Sequence, residues 1–381
     1  MPAATPTHTR PPAQAIWAAM TVALAVAAQL CPVSAEAKKT PPSAPAAIET
    51  YAQNPAAMRF ADDVAQRRDL DVEQVRAVLA QARKLPSVQK AMLPASKATA
   101  KNWAAYRARF IEPTRLRAGQ AFWQQHRYWL EKAEADTGVP ASLIVGILGV
   151  ETIYGQHMGN YRVIDALATL AFDFPASHPR AAARTAYFLG ELEQYLSLTH
   201  RHQIDPSSLR GSYAGAMGLP QFMPTSWVKY AVDFDGDGKT DIFGSPADAI
   251  GSVANYFKGF GWKPGMPTHY PVRFDAARLD LDTLLAPDIL PTFTATRFEA
   301  NGAVLTDAGR AHTGPLALIE LHNGDPAHGG QPPSYVAGTD NFYAVTRYNW
   351  SSYYALAVIE LGQTIAARMK TDEQGSPTTG R

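Results

Sequence analysis

Between residues 58 and 135 apolar residues recur at helical spacing. Phe60 and Val64 share a face, and Asp71 with Gln74 forms a capping-box pattern ahead of Val75, Val78 and Leu79. A longer helix is predicted after Thr114, with Leu116, Phe122 and Trp129 at its apolar positions. Pro140 then opens a run over 141–153 that is apolar on every side, with Gly155 just past its end. Helical spacing returns over 181–199, through Tyr187, Phe188, Leu192, Tyr195 and Leu196. It returns again after Ser245-Pro246-Ala247-Asp248, where Ile250, Val253, Ala254 and Phe257 line one face. Beyond Lys263 the content of Pro, Gly, His and Thr rises, and short runs such as 316–321 predict strands. A closing helix is predicted over 352–369, and no internal repeat is present. The fold class is α+β, mainly α.

The amino-terminal pattern is of another kind. Arg10 is the only charge in the first 35 residues, an apolar run over 15–28 follows it, and Ala35 closes a small-residue cleavage pattern. This predicts a secretory signal peptide, residues 1–35, because the run falls short of the roughly 20 apolar residues of a membrane span. Leu30 stands where lipid attachment to Cys31 requires a small residue, so a lipid anchor is not expected. Residues 36–50, with Lys38-Lys39-Thr40-Pro41-Pro42, read as an extended linker. The whole chain has 35 Lys+Arg against 34 Asp+Glu, so it lacks the basic footprint of a nucleic-acid binder. Cys31 is the one cysteine, and its predicted removal leaves an exported protein without a disulfide.

Four segments carry candidate chemistry. Glu151 ends the apolar run. A helix apolar on all sides belongs in a core, so its lone carboxylate is desolvated and lies near the negative end of the helix dipole. Both effects push its pKa upward, as a general acid working near neutral pH requires. A core-edge glutamate bonded to nearby backbone fits the same spacing. The second segment, Gly215-Ala216-Met217-Gly218-Leu219-Pro220-Gln221, suits an amide- and hydroxyl-rich ligand such as a sugar, or equally a packing turn. The third places Asp233, Asp235 and Asp237 at positions 1, 3 and 5 of an EF-hand-like loop with Gly238 at 6 and Lys239 at 7. Position 12 is Gly244, and the next acid is Asp248, so a longer Ca²⁺ loop over 233–248 is expected, with a structural metal. Asp248 also reads as the capping partner of Ser245. The fourth, 347–354, holds Tyr348, Asn349, Trp350, Tyr353 and Tyr354, which suit carbohydrate or an aromatic core.

Together, several motifs in a fixed order resemble the membrane-bound lytic murein transglycosylase B family over about 103–362. They are Gly149-Val150-Glu151-Thr152 with Tyr154-Gly155, Asp165-Ala166-Leu167-Ala168-Thr169-Leu170 and Tyr187-Phe188-Leu189-Gly190-Glu191-Leu192, then Ser212-Tyr213-Ala214-Gly215 with Gln221-Phe222-Met223-Pro224. The Asp loop, Ile250-Gly251-Ser252-Val253-Ala254-Asn255-Tyr256 and Thr346-Arg347-Tyr348-Asn349 complete the set. The resemblance implies a lysozyme-like core over 140–262, a helical domain over 51–139 completed by 342–370, a small β subdomain over 263–341 and a flexible tail over 371–381. It implies a periplasmic, monomeric enzyme that cuts peptidoglycan glycan strands without water, with other cell-wall enzymes as further partners.

In that resemblance Glu151 matches the catalytic acid and base. Ser212 and Gln221 match active-site polar residues, and Tyr106, Tyr187, Tyr256, Tyr348, Asn349 and Tyr354 match groove residues. Arg184 matches one of two adjacent arginines, and its neighbour here is Ala183, which weakens the expected grip on a stem peptide. Two rivals stay open: a hydrolytic muramidase with Asp165 or Glu191 as second carboxylate, and a binding protein without turnover.

Overall fold

The computed structural model describes residues 48–94 and 101–375. The predicted signal peptide with Cys31, the linker through residue 47 and the last six residues lie outside the described residues. The end of the predicted linker is ordered: the Lys84 N–H donates to the Glu49 carbonyl at 2.9 Å, and Thr50 bridges Arg83.

Helices α1 (Pro55–Arg68), α2 (Val72–Gln81) and α3 (Pro86–Met92) open the described chain. Asn54 caps α1 by accepting from Ala56 and Ala57, and Asp71 caps α2 by accepting from Gln74. After α4 (Trp103–Ala108), the single helix expected beyond Thr114 is two, α5 (Pro113–Gln125) and α6 (Arg127–Thr137). The break falls at His126, whose φ of −114° and ψ of 23° leave the helical region.

Helix α7 (Ala141–Thr152) is central, and apart from Ser142 all its residues are buried. Around it stand α8 (Val163–Phe172), α9 (Ala181–Arg201), α10 (Pro224–Tyr230) and α11 (Pro246–Gly259). The face of α11 formed by Ile250, Val253, Ala254 and Phe257 is fully buried. Two short strands, β1 (Tyr161–Arg162) and β2 (Arg210–Gly211), pair antiparallel beside the site.

The remaining strands, β3 (His269–Phe274), β4 (Ala303–Leu305), β5 (Ala317–Asn323) and β6 (Gln331–Gly338), form one antiparallel sheet in the order β4-β3-β6-β5. Short helices α12 (Leu281–Leu285), α13 (Ala295–Ala300) and α14 (Asp307–Arg310) lie between these strands in the sequence. Strand β5 is buried on both faces. Leu318 enters a small second core with Leu284, Phe293 and Phe298, while Ala317, Ile319 and Leu321 belong to the main core. That is why its sequence is a nearly continuous apolar run.

After α15 (Asp340–Thr346), the long helix α16 (Ser352–Gly375) returns through the molecule. The start of the expected tail, residues 371–375, continues this helix. Helices α7 and α16 cross at backbone contact. A Cβ on Gly146 would lie 2.2 Å from the Val358 carbonyl oxygen, and one on Gly362 would lie 1.9 Å from that of Ser142. Small residues on both helices therefore set how closely the two approach.

Candidate active site

The last turn of α7 places Glu151 in the interior, with 6 % of its surface exposed. The helix then stops abruptly, with Ile153 at φ 49° and Tyr154 at φ 57°. Two non-glycine residues in left-handed backbone cost about 1–2 kcal/mol each, and a β-branched one is a marked outlier. Tertiary bonds hold the turn. Thr152 donates its hydroxyl to the Leu219 carbonyl at 3.0 Å and accepts from the Gly155 N–H at 3.0 Å. Thr152 is absent from the sequence-predicted site residues, yet it ties the end of α7 to the glycine loop. Its signal is a polar residue in an apolar run.

Around Glu151 the charge environment is simple. The Tyr354 hydroxyl donates to Glu151 Oε1. Burial pushes the carboxyl pKa up to about 7, and the bond from Tyr354 holds it back. Tyr106, Tyr256, Tyr348 and Tyr354 are all raised, first by burial and also by the Glu151 charge, Tyr106 to about 12. The Tyr348 and Tyr354 rings stack at 6.4 Å and 14°, and the Tyr348 and Tyr256 centroids lie 4.7 Å apart. Tyr348 donates to the Pro220 carbonyl at 2.6 Å and Tyr256 to that of Arg347 at 2.7 Å. Those two hydroxyls brace the cage.

The second predicted segment forms a wall of the same site. Gly215 and Gly218 have φ of 84° and 68°. A Cβ on the first would lie 2.5 Å from Leu167, and one on the second 2.5 Å from the Ile242 carbonyl oxygen. Conformation and space both exclude a side chain there. Ser212 Oγ accepts from the Ala214 and Ala216 N–H groups at 3.2 and 3.1 Å, which leaves its proton to donate. Gln221 Nε2 donates to the Met158 and Gly218 carbonyls at 3.1 and 2.9 Å, which leaves Oε1 to accept. Asn349 is half-buried in the turn ahead of α16, where its carbonyl accepts from the Ser351 N–H at 2.6 Å.

Arg184 lies on α9, buried, near Arg180, Tyr187 and Tyr213, and burial lowers its pKa. Tyr187 bonds to Glu191, which also accepts from the Thr225 N–H at 2.9 Å. Asp165 accepts from the Arg83 N–H at 2.9 Å and lies 3.6 Å from the Arg162 Nε. Asp165 thus ties α8 to the segment between α2 and α3, and Glu191 ties α9 to the start of α10. Burial and the Tyr354 bond account for the shift at Glu151, with no carboxylate among the causes.

The acidic loop is a separate centre. Carboxylate oxygens of Asp233, Asp235 and Asp248 lie within 4.8 Å of one another. Asp248 Oδ1 accepts from the Phe234 N–H and Oδ2 from the Asp241 N–H, each at 2.7 Å. Its own N–H donates to Ser245 Oγ at 3.2 Å, so it serves both the helix start and the loop. Asp237 and Lys239 stand outside this trio, with Asp237 Oδ1 accepting from the Lys239 N–H at 2.8 Å. Phe234 anchors the loop. A Cβ on Gly251 would lie 2.3 Å from its ring, and Lys132 Nζ lies 4.0 Å from the ring centroid. Converging hard oxygen donors on a glycine turn fit Ca²⁺.

The sequence matches the family described as Transglycosylase SLT domain over residues 52–363. The chain belongs to that family. Among its relatives, membrane-bound lytic murein transglycosylase B of Escherichia coli (strain K12) is 36 % identical over 337 residues, covering 83 % of this chain and 84 % of the relative. The Escherichia coli lytic transglycosylase SLT35 in complex with bulgecin A superposes with a TM-score of 0.73 at 38 % identity, covering 84 % of this chain and 95 % of that one. The same enzyme in complex with calcium gives 0.72 at 38 % identity, with coverage of 84 % and 95 %. SltB3 of Pseudomonas aeruginosa in complex with NAG-anhNAM-pentapeptide gives 0.66 at 33 % identity, covering 81 % and 79 %. The family has mainly helical, lysozyme-like members, in keeping with the fold class read from the sequence. Among the described residues, no single helix is long and apolar enough to cross a membrane.

Proposed function

We propose that Glu151 alone carries both proton transfers of a lytic transglycosylase acting on peptidoglycan, at the β-1,4 bond between N-acetylmuramic acid and N-acetylglucosamine. The observation that carries this reading is a buried carboxyl, raised to about 7, with a phenol as its partner and no second carboxylate in its titration. Hydrolytic glycosidases place two carboxylates across the bond, whereas Asp165 and Glu191 are held by Arg83 and Thr225.

In the first step protonated Glu151 gives its proton to the glycosidic oxygen, and the bond from that oxygen to C1 of the muramic residue breaks. The 2-acetamido oxygen stabilises the cationic centre, with the free Ser212 proton donating to that group. In the second step the C6 hydroxyl of the same sugar attacks C1, and its proton passes to the Glu151 carboxylate. The acid is regenerated and a 1,6-anhydro end forms without water. Nucleophile and electrophile in one molecule supply the proximity term. The ring faces of Tyr106, Tyr187, Tyr256, Tyr348 and Tyr354 and the polar groups of Gln221, Asn349 and Arg184 form the groove.

Asp233, Asp235 and Asp248 would hold Ca²⁺, with Asp237 and the Lys239 carbonyl as further ligands. The metal would supply structural stability in place of the absent disulfide. The enzyme acts as a periplasmic monomer after export. Mass spectrometry of digested sacculi tests the reaction, since hydrolytic ends are one water heavier than anhydro ends. Hydrolytic ends as the main product would overturn it.

A further inference from the structure

Beside the Glu151 cage lies a cavity of about 340 Å³, lined partly by the 350–353 stretch and Tyr106 and partly by residues outside every motif above, Lys101, Asn102, Asp288 and Ile289. It opens between α4, the head of α16 and the loop that follows α12 in the β subdomain. Two residues join it to the catalytic carboxyl. Tyr106 and Tyr353 line the cavity with ring centroids 5.9 Å apart, and Tyr353 is next in the chain to Tyr354, the donor to Glu151.

Its walls come from distant parts of the chain. The loop from the β subdomain carries Asp288 and Ile289. Ile289 packs into the main core, although Leu284 and Phe293 on either side belong to the small second core. Asp288, just before Ile289, has left-handed backbone at φ 54°. Opposite, Asn102 forms a bridge to Asn323 of β5, and the His322 N–H donates to the Tyr353 hydroxyl at 2.6 Å.

The lining has a definite chemistry. The Asp288 carboxylate is exposed and shares the cavity lining with the Lys101 ammonium. Asn102 Oδ1 accepts from the Ala105 N–H at 2.9 Å, leaving its amide N–H groups to donate. Tyr106 and Trp350 add half-buried aromatic faces. A carboxylate that accepts from paired hydroxyls, an amide donor and flat apolar faces suit a sugar ring, and the volume lies within the range of small-molecule sites.

We propose that this cavity is a saccharide subsite to which the β subdomain contributes Asp288, and that it seats one N-acetylhexosamine of the glycan strand beyond the sugars held at Glu151. This rests on the peptidoglycan-cleaving reading above and extends it: selectivity for long strands is built partly outside the lysozyme-like core. The cavity recognises the sugar rather than the stem peptide.

Binding without turnover provides the test. Calorimetry on Glu151→Gln protein, with unsubstituted murein glycan fragments of increasing length, is compared with the same measurement on the Glu151→Gln, Asp288→Ala double variant. The expected result is a loss of affinity that grows with length, the longest fragments losing about tenfold more than the shortest, as for a hydrogen bond to a charged group. Asp288→Asn tolerates the left-handed backbone and keeps an acceptor without the charge, so its loss should be smaller, with the melting temperature unchanged. An equal loss at every length, or none, would overturn the proposal. Failure of the wild type to form anhydro ends would instead count against the reaction, while the binding comparison would still read the cavity.

Discussion

The molecule holds two acidic centres that use carboxylates in opposite ways. Glu151 is a single carboxyl among phenol rings, buried and short of donors, so its charged form is disfavoured. The 233–248 loop gathers Asp233, Asp235 and Asp248, and backbone N–H groups bond all three. At Asp248 such donors work against burial, which is the larger effect and leaves its pKa raised. The difference teaches that grouping matters: Glu151 is one carboxyl beside one phenol, while three loop carboxylates converge on a point. Residue type alone does not decide.

Replacing Glu151 with Gln should break the contrast most completely. The shape survives but the transferable proton does not, so kcat/KM for anhydro-end formation should fall by about 10³-fold or more. Stability should move the other way. The folded pKa of about 7 lies above the unfolded value of 4.5, so the native state binds the proton more tightly. Wild-type stability therefore falls as pH rises from about 4.5 to about 7, and the full penalty persists above that. Glu151→Gln should be more stable than wild type at pH 8, by up to about 3 kcal/mol, and show little gain at pH 4. Denaturant melts at the two pH values check this.

The other centre should answer to metal. Calcium at 100 times its Kd should stabilise the wild type by about 2.7 kcal/mol, and EDTA should remove that gain. Asp248→Ala should abolish the calcium response in a thermal melt and cost a further 1 kcal/mol or about that, because the Phe234 and Asp241 N–H groups lose their acceptor. Asp237→Asn, outside the convergent trio, should weaken the calcium response without abolishing it. This is the smallest of the stability effects.

Tyr354→Phe sharpens the first centre without removing it. Tyr354 donates to the charged carboxyl and restrains the rise in its pKa. Losing that bond should move the alkaline limb of the kcat/KM profile to higher pH, since the reacting form is the protonated acid. The rate below that limb should change only severalfold. An alkaline limb that stays in place would show that another group controls the titration.

Much of this is legible along the chain. The all-round apolarity of 141–153 determines that Glu151 is buried, because such a helix has no face to offer water. The Asp and Gly spacing of 233–238 matches a hard-cation loop, because that donor pattern is local. The order of motifs points to the family. Tertiary structure alone decides who partners whom. Tyr354 reaches Glu151 across 203 residues of sequence, and no local period encodes that pairing. Asp248 reads equally well as a cap or a ligand until folding turns its oxygens to the Phe234 and Asp241 N–H groups. Asp165 and Glu191 remain candidate catalytic acids until packing hands them to Arg83 and Thr225. Periodicity records which side of an element faces inward, since burial repeats with the turn of the helix or the pleat of the strand. The atom met on that inward side is set by how distant elements cross, and here Gly146 and Gly362 set the closeness of that crossing.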